Sequence, residues 1–213
     1  MLNQSTAMNL SAGELQKRLY ASVGLNGYDD SFLSFLDRNF SPYNFILGLN
    51  PYIRNHKYGR IGNIRNIDIF RYTQSCVLNE LCLDLEKLNY EYRVLDTYSS
   101  NRTLYKKEFM LKLFICDATE ECKRGDYQIM RYDPKLEEWF FKPSTREKST
   151  LCSEAKGIIM VNGEPARYVR GTEGAVEKEF YPFAYIAVRP IRFLKKIWRA
   201  FILFANWIKN RHE

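Results

Sequence analysis

Glu177 and Glu179 stand one residue apart, directly after a loop bounded by Gly171 and Gly174. If the chain is extended from Glu177 onward, both carboxylates point to the same face. Two carboxylates on one face, beside a glycine-flanked loop, make an acid/base and cation-stabilising pair. The plainer alternative is a hairpin whose solvent face carries two glutamates. Phe180 to Val188 is rich in aromatic and β-branched residues and predicts a strand.

The run Glu177-Lys178-Glu179-Phe180-Tyr181-Pro182, leading into Phe183–Val188, resembles the Glu-x-Glu signature of arginine-type mono-ADP-ribosyltransferases. The resemblance calls for an arginine on an earlier strand and a Ser-Thr segment between the two. Tyr90-Glu91-Tyr92-Arg93-Val94 follows the leucine-rich stretch Leu78–Leu88 and supplies Arg93, with Val94 where the family carries glycine. Arg71, in Ile69-Phe70-Arg71-Tyr72, is the second candidate. Ser144-Thr145, after Phe140-Phe141-Lys142-Pro143, matches the Ser-Thr segment, with Arg146 where the family has a second serine. Another pair, Ser149-Thr150, lies close by.

What the resemblance implies is an NAD-dependent transferase of the toxin or effector kind, moving ADP-ribose onto arginine of a target protein. Arg93 would pair with an NAD phosphate, for which a guanidinium fork is well suited. Ser144 and Thr145 would bond the cofactor ribose or orient Glu179. Glu179 would stabilise the oxocarbenium-like cation formed as nicotinamide leaves. Glu177 would hold or deprotonate the acceptor. Gly171, Glu173 and Gly174 would meet the target. The fold implied is an ADP-ribosyltransferase-type core.

These residues need a scaffold, and the composition allows one. The chain has 213 residues, 46% of them hydrophobic, enough for a sizeable core and against wholesale disorder. Fifteen tyrosines and 14 phenylalanines suit strand faces. A net charge of +7 favours acidic partners, whether phosphates, nucleic acid, anionic lipid or acidic proteins. The basic residues are scattered and no RNA-binding signature occurs, which argues against nucleic acid. Five cysteines and two histidines, His56 and His212, show no metal-site spacing, so no metal is expected. A cysteine nucleophile with His56 as base has no local signature.

The order of elements predicts an α+β class: helices first, then a mainly antiparallel β core. Ser11 with Glu14 reads as a capping box opening a helix from Ala12 to about Val23. Asp30 or Ser31 to Ser41-Pro42 reads as a second helix, with Phe32, Leu33, Phe35 and Leu36 inward. Ser75–Leu88 reads as a third, from its three- and four-residue apolar spacing. Strands are expected at Tyr90–Leu95, Tyr127–Tyr132 and Trp139–Lys142, and a hairpin around Asn162-Gly163 joining Ile158–Val161 to Ala166–Val169. Phe109–Cys116 reads as a strand or a buried helical turn.

The organisation expected is a loose leader over residues 1–13, one catalytic domain over 14–189, and a basic tail over 190–213. Within the tail, 191–209 reads as an amphipathic helix, with Phe193, Leu194, Ile197, Trp198, Phe201, Phe204 and Ile208 on one face. Two uses are open to it: docking on an anionic membrane surface, or packing on the domain's own core. Met1–Gly13 lacks the basic start and apolar run of a signal peptide, which predicts a chain made in the cytoplasm. A polar leader also suits export into a host cell by a specialised secretion system. The competing function is a non-enzymatic interaction protein that binds membrane or nucleic acid through its basic surface and tail.

Overall fold

The computed structural model describes residues 11–25, 29, 35, 40–49, 59–62, 74–95, 103–116, 126–135, 137–142, 149–155, 158–161, 164–165 and 181–191. Helix α1 (Ala12–Ser22) starts where its capping box predicts. The Ser11 hydroxyl accepts from the Glu14 N–H, and the Glu14 carboxylate accepts from the Ser11 N–H at 3.0 Å. That exchange satisfies two N–H groups the first helical turn leaves unpaired.

Helix α2 (Pro42–Leu47) corrects the sequence reading. Ser41-Pro42 was expected to close a helix, yet Ser41 caps α2 through the Asn44 N–H at 3.1 Å and Pro42 sits in its first turn. Proline's fixed φ and missing N–H suit a helix start as well as a stop. α2 ends at Gly48, in the left-handed region at φ 66°. A Cβ there would overlap the Val23 carbonyl oxygen, so glycine lets the ends of α1 and α2 meet. Phe35, expected inward, is 49% exposed. Of the rest of that expected second helix only Phe40 and Ser41 are described, and neither is helical.

Helix α3 (Gln74–Lys87) follows the predicted leucine spacing, burying Val77, Leu81 and Leu85. Asn89, at φ 62°, turns the chain into β1 (Tyr90–Leu95). The remaining strands are β2 (Phe109–Cys116), β3 (Asp126–Asp133), β4 (Glu138–Phe141), β5 (Thr150–Ala155), β6 (Ile158–Val161), β7 (Glu164–Pro165) and β8 (Tyr181–Pro190). They form one sheet in the order β1-β8-β2-β3-β4-β5-β6-β7, with every neighbouring pair antiparallel. The class is α+β, and Phe109–Cys116 is a strand. β5 had no counterpart in the sequence reading: its Thr-Leu-Cys-Ser-Glu-Ala run is weakly apolar. Its first half pairs with β4 and its second half with β6. The expected Asn162-Gly163 hairpin partner is seen only as the two residues of β7, and 166–169 lie outside the described residues.

The pleat separates two faces of the sheet. One carries Phe109, Leu111, Leu113, Ile129, Phe140, Ala184, Ile186 and Val188, packed against Leu19, Tyr20, Phe45, Leu81 and Leu85 of the helices. The other carries Phe114, Met130, Phe141 and Cys152 as a smaller cluster edged by Trp139. Both sides of the central strands are therefore dry, which is why β2 and β8 read as almost continuous apolar runs.

Arg131, on β3, ties the helices to the sheet. Its Nη1 donates to the Ile46 carbonyl at 2.8 Å and its Nη2 to the Ser22 carbonyl at 2.7 Å. These carbonyls belong to the C-terminal turns of α2 and α1, where a cation also meets the negative ends of the helix dipoles. The guanidinium lies 3.7 Å from the centroid of the Phe109 ring.

Candidate functional site

Among the residues read as catalytic or cofactor-binding, Arg93 is described, on β1. Ser144, Thr145, Glu177 and Glu179 lie outside the described residues, as do Arg71, Gly171, Glu173, Gly174 and His56. What can be built is the arginine's end of the site and the strand that Glu177 and Glu179 lead into.

β1 lies at the edge of the sheet and pairs along its whole length with β8, from Tyr90↔Pro190 to Leu95↔Tyr185. Arg93 stands opposite Ala187. On the pleat it shares a face with Glu91, and with Ala187 and Arg189 across the ladder. Its Nε donates to Glu108 Oε1 at 3.1 Å and its Nη2 to Glu108 Oε2 at 2.8 Å, a two-pronged charge-assisted pair. Nη2 also donates to the Thr103 carbonyl at 2.7 Å, and the Tyr105 ring centroid lies 4.2 Å from the guanidinium carbon. Glu108 is fixed in turn by the Tyr105 backbone N–H at 2.8 Å. The side chain of Glu108 is 5% exposed and that of Arg93 35%. The Arg93 hydrogen bond is the main force holding the Glu108 carboxyl below its ordinary range, while burial opposes it. Next to this pair, Arg189 Nε donates to Glu91 Oε2 at 2.6 Å, linking β8 to β1 a second time.

The three Arg93 bonds use Nε and Nη2. Arg93 is thus a part-exposed cation held in one orientation by a carboxylate, a carbonyl and an aromatic ring. The register also sets a distance. Ala187 and Tyr181 are six residues apart on β8, about 20 Å of strand. Glu108 precedes β2, whose Phe109 pairs with Val188. The guanidinium is therefore drawn toward the C-terminal end of β8, whereas Glu177 and Glu179 precede its N-terminal end in sequence.

Compared with protein-family models, with curated proteins and with solved structures, the chain matches none. The chemistry has to be argued from its own residues.

A second polar cluster lies under the helices. Asp84, fully buried on α3, accepts at Oδ2 from the Tyr43 hydroxyl at 2.9 Å and from the Gly62 N–H at 2.8 Å. The Ile61 N–H donates to the Tyr127 hydroxyl at 3.0 Å. These bonds fasten the loop at 59–62 and helix α2 to α3 and β3. Burial pushes the Asp84 carboxyl up, with Glu80 one turn earlier acting in the same direction. The bonds from Gly62 and Tyr43 pull it back. Asp84 Oδ1 is buried with no hydrogen bond. The role visible here is architectural, a buried acceptor that pins a glycine loop.

Two of the described cysteines are poor candidates for nucleophilic chemistry. Burial pushes up the thiols of both Cys82 and Cys152, and a raised thiol is a poor nucleophile. Cys76 is half-buried in the first turn of α3. No group of three His, Cys, Asp or Glu suited to a metal occurs among the described residues.

The sequence reading missed Glu108 and Tyr105. Lys107, at φ 72°, turns the chain so that Glu108 faces Arg93. The pattern Tyr105-Lys106-Lys107-Glu108 carries no strand or helix signal, and a carboxylate three residues after an aromatic is too common to single out.

Proposed function

We propose that the chain is an NAD-dependent mono-ADP-ribosyltransferase acting on a protein side chain, with arginine as acceptor. The observation that carries the reading is the oriented Arg93. It lies on β1, which hydrogen-bonds to β8, the strand that Glu177 and Glu179 lead into. Glu108 and Tyr105 fix the orientation of a guanidinium that is 35% exposed, where a phosphate oxygen can approach it. A preset donor loses less freedom on binding than a free side chain.

In this reading Glu179 stabilises the ribose cation as the nicotinamide C–N bond breaks and its electron pair leaves with nicotinamide. A guanidinium nitrogen of the target arginine then bonds to the ribose carbon, and its proton passes to Glu177. Ser144 and Thr145 bond the ribose. NAD is the cofactor consumed, and the partner is the target protein.

A second reading is favoured by the same register. The Arg93 guanidinium is drawn to the far end of β8 from the glutamate pair, as a purely structural ion pair would be. The chain would then be a non-enzymatic interaction protein that meets anionic membrane or nucleic acid through its basic surface and tail. No helix among the described residues is long and apolar enough to cross a membrane.

The test is incubation of the full chain with labelled NAD and a cell lysate. The enzyme reading expects nicotinamide release and labelled protein. Glu179→Ala should cut both by about 100-fold or more, the scale of losing one aimed electrostatic group. Glu177→Ala should retain NAD hydrolysis and lose transfer. Wild type that neither hydrolyses NAD nor labels protein sinks the enzyme reading. Salt-sensitive binding to acidic vesicles or nucleic acid would then support the second.

A further inference from the structure

Residues 103–108 close on Arg93. The Thr103 carbonyl and the Glu108 carboxylate accept from its guanidinium, and the Tyr105 ring lies against its face. Yet Tyr105 is 60% exposed, an aromatic side chain left largely in water. We propose that this segment is a nucleotide-binding turn. The ring face of Tyr105 that is turned away from Arg93 takes a planar base, and Arg93 with Lys106 and Lys107 takes the diphosphate attached to it.

The turn is closed at its base. The Glu108 N–H donates to the Tyr105 carbonyl at 3.0 Å, and the Tyr105 N–H donates back to the Glu108 carboxylate at 2.8 Å. Lys106 and Lys107 occupy the two central positions, and both are exposed. Lys107 lies at φ 72°, in the third place of the turn, where a positive φ ordinarily selects glycine. A side chain there costs conformational free energy that glycine would not. Residues held in such sparsely populated backbone regions cluster at ligand clamps and active sites. On this account the strain is kept for the sake of a second ammonium group on the turn.

Charge points to a diphosphate. Glu108 offsets Arg93, and Glu91 offsets Arg189. Lys106 and Lys107 then bring two positive charges beyond those pairs. Glu108 is buried and bonded on both sides, so it orients Arg93 without swinging aside. The guanidinium stays part-exposed, within reach of a phosphate oxygen, and a donor fixed beforehand loses little freedom on binding.

Tyr105 selects the rest of the ligand. Its ring is stacked on a cation 4.2 Å away, and a base on the other side completes a three-layer stack. A lipid headgroup carries no planar ring that could use this surface. A single strand of nucleic acid would lie along a series of such rings. Among the described side chains from α3 onward, Tyr105 is the one exposed aromatic, which suits a single base. The ligand class is therefore a nucleoside diphosphate, or a larger molecule that carries one. NAD carries this moiety, so the turn would serve the transferase reading, but the inference needs no turnover and stands without it.

Isothermal titration calorimetry of the full chain with ADP tests the proposal, with adenosine and inorganic pyrophosphate as partial ligands. Wild type should bind ADP, and should bind each partial ligand at least about 10-fold more weakly. Tyr105→Leu should weaken ADP binding about 10-fold, the scale of one lost base stack, and Tyr105→Phe should restore it. Lys107→Gly should weaken ADP binding about 3-fold, the scale of one exposed charge, while raising the urea midpoint because glycine relaxes the turn. No ADP binding by wild type, pyrophosphate bound as tightly as ADP, or ADP affinity unchanged in both Tyr105→Leu and Lys107→Gly overturns the proposal. NAD hydrolysis measured alongside separates the two readings. Hydrolysis without ADP binding refutes the turn and spares the transferase, and ADP binding without hydrolysis does the reverse.

Discussion

Two arginines in this molecule are each stacked on an aromatic ring, and their remaining partners differ. Arg131 is buried and bonded at Nη1 and Nη2 by carbonyls, the ends of two helices, with the Phe109 ring beneath it and its Nε unbonded. Arg93 is part-exposed and held by the Glu108 carboxylate and the Thr103 carbonyl, with the Tyr105 ring beneath it. Burial pulls the Arg131 pKa down to about 10, which still leaves it charged at neutral pH. The Glu108 hydrogen bond pushes Arg93 the other way. A cation that answers helix C-termini is spent on architecture, since removing it strands carbonyls with nowhere to turn. A part-exposed cation held chiefly by one carboxylate keeps its geometry while remaining within reach of an anion.

The comparison is easiest to break at Arg131. Arg131→Ala should destabilise the fold by about 3–5 kcal/mol, because it leaves one buried and one part-buried carbonyl unsatisfied and a cavity over Phe109. A urea midpoint unchanged from wild type would remove Arg131 from its role. Asp84 is the acidic counterpart in the same layer. Asp84→Ala should cost about 1–3 kcal/mol, by orphaning the Gly62 N–H and the Tyr43 hydroxyl. Asp84→Asn retains an acceptor and removes the pH dependence. The folded carboxyl is raised, so the stability tied to it is full below its unfolded pKa and falls as pH rises through the folded one. Thermal melts should therefore show Asp84→Asn gaining on wild type as pH rises, and a wild-type advantage that widens as pH rises would contradict the assignment.

Ser11→Ala sharpens the picture at the opposite end of α1. Losing the capping box should cost about 1 kcal/mol, less than losing Arg131 at the C-terminal end. Equal costs at the two ends would mean that Arg131 contributes no more than an exposed cap.

Much of the scaffold is legible in the sequence because its signals are local. The Ser11–Glu14 box opens α1, leucine spacing gives α3, and alternating Tyr-Glu-Tyr-Arg-Val-Leu gives β1 with the very bounds observed. What escapes is decided by partners far along the chain. α2 starts at a Ser-Pro pair that reads equally well as a stop. β5 is a strand because β4 and β6 recruit it, against its own weak propensity. The position of β8 between β1 and β2 is a topological fact with no local mark. The site shows the same division: Arg93 was readable as a strand arginine after a leucine-rich helix. Glu108, which fixes it, comes from the far side of residues 96–102 and follows a left-handed turn at Lys107.

Arg93→Lys tests the central claim most directly, because the ammonium keeps the charge and loses the planar fork. NAD titration and urea unfolding of the same preparation give affinity and stability together. The account predicts a stability within about 2 kcal/mol of wild type, because the ammonium still pairs with the buried Glu108 carboxylate and loses one hydrogen bond to it. It also predicts NAD binding at least about 10-fold weaker, the scale of one lost charge-assisted hydrogen bond. NAD binding that is absent from wild type, or unchanged in Arg93→Lys, would contradict it.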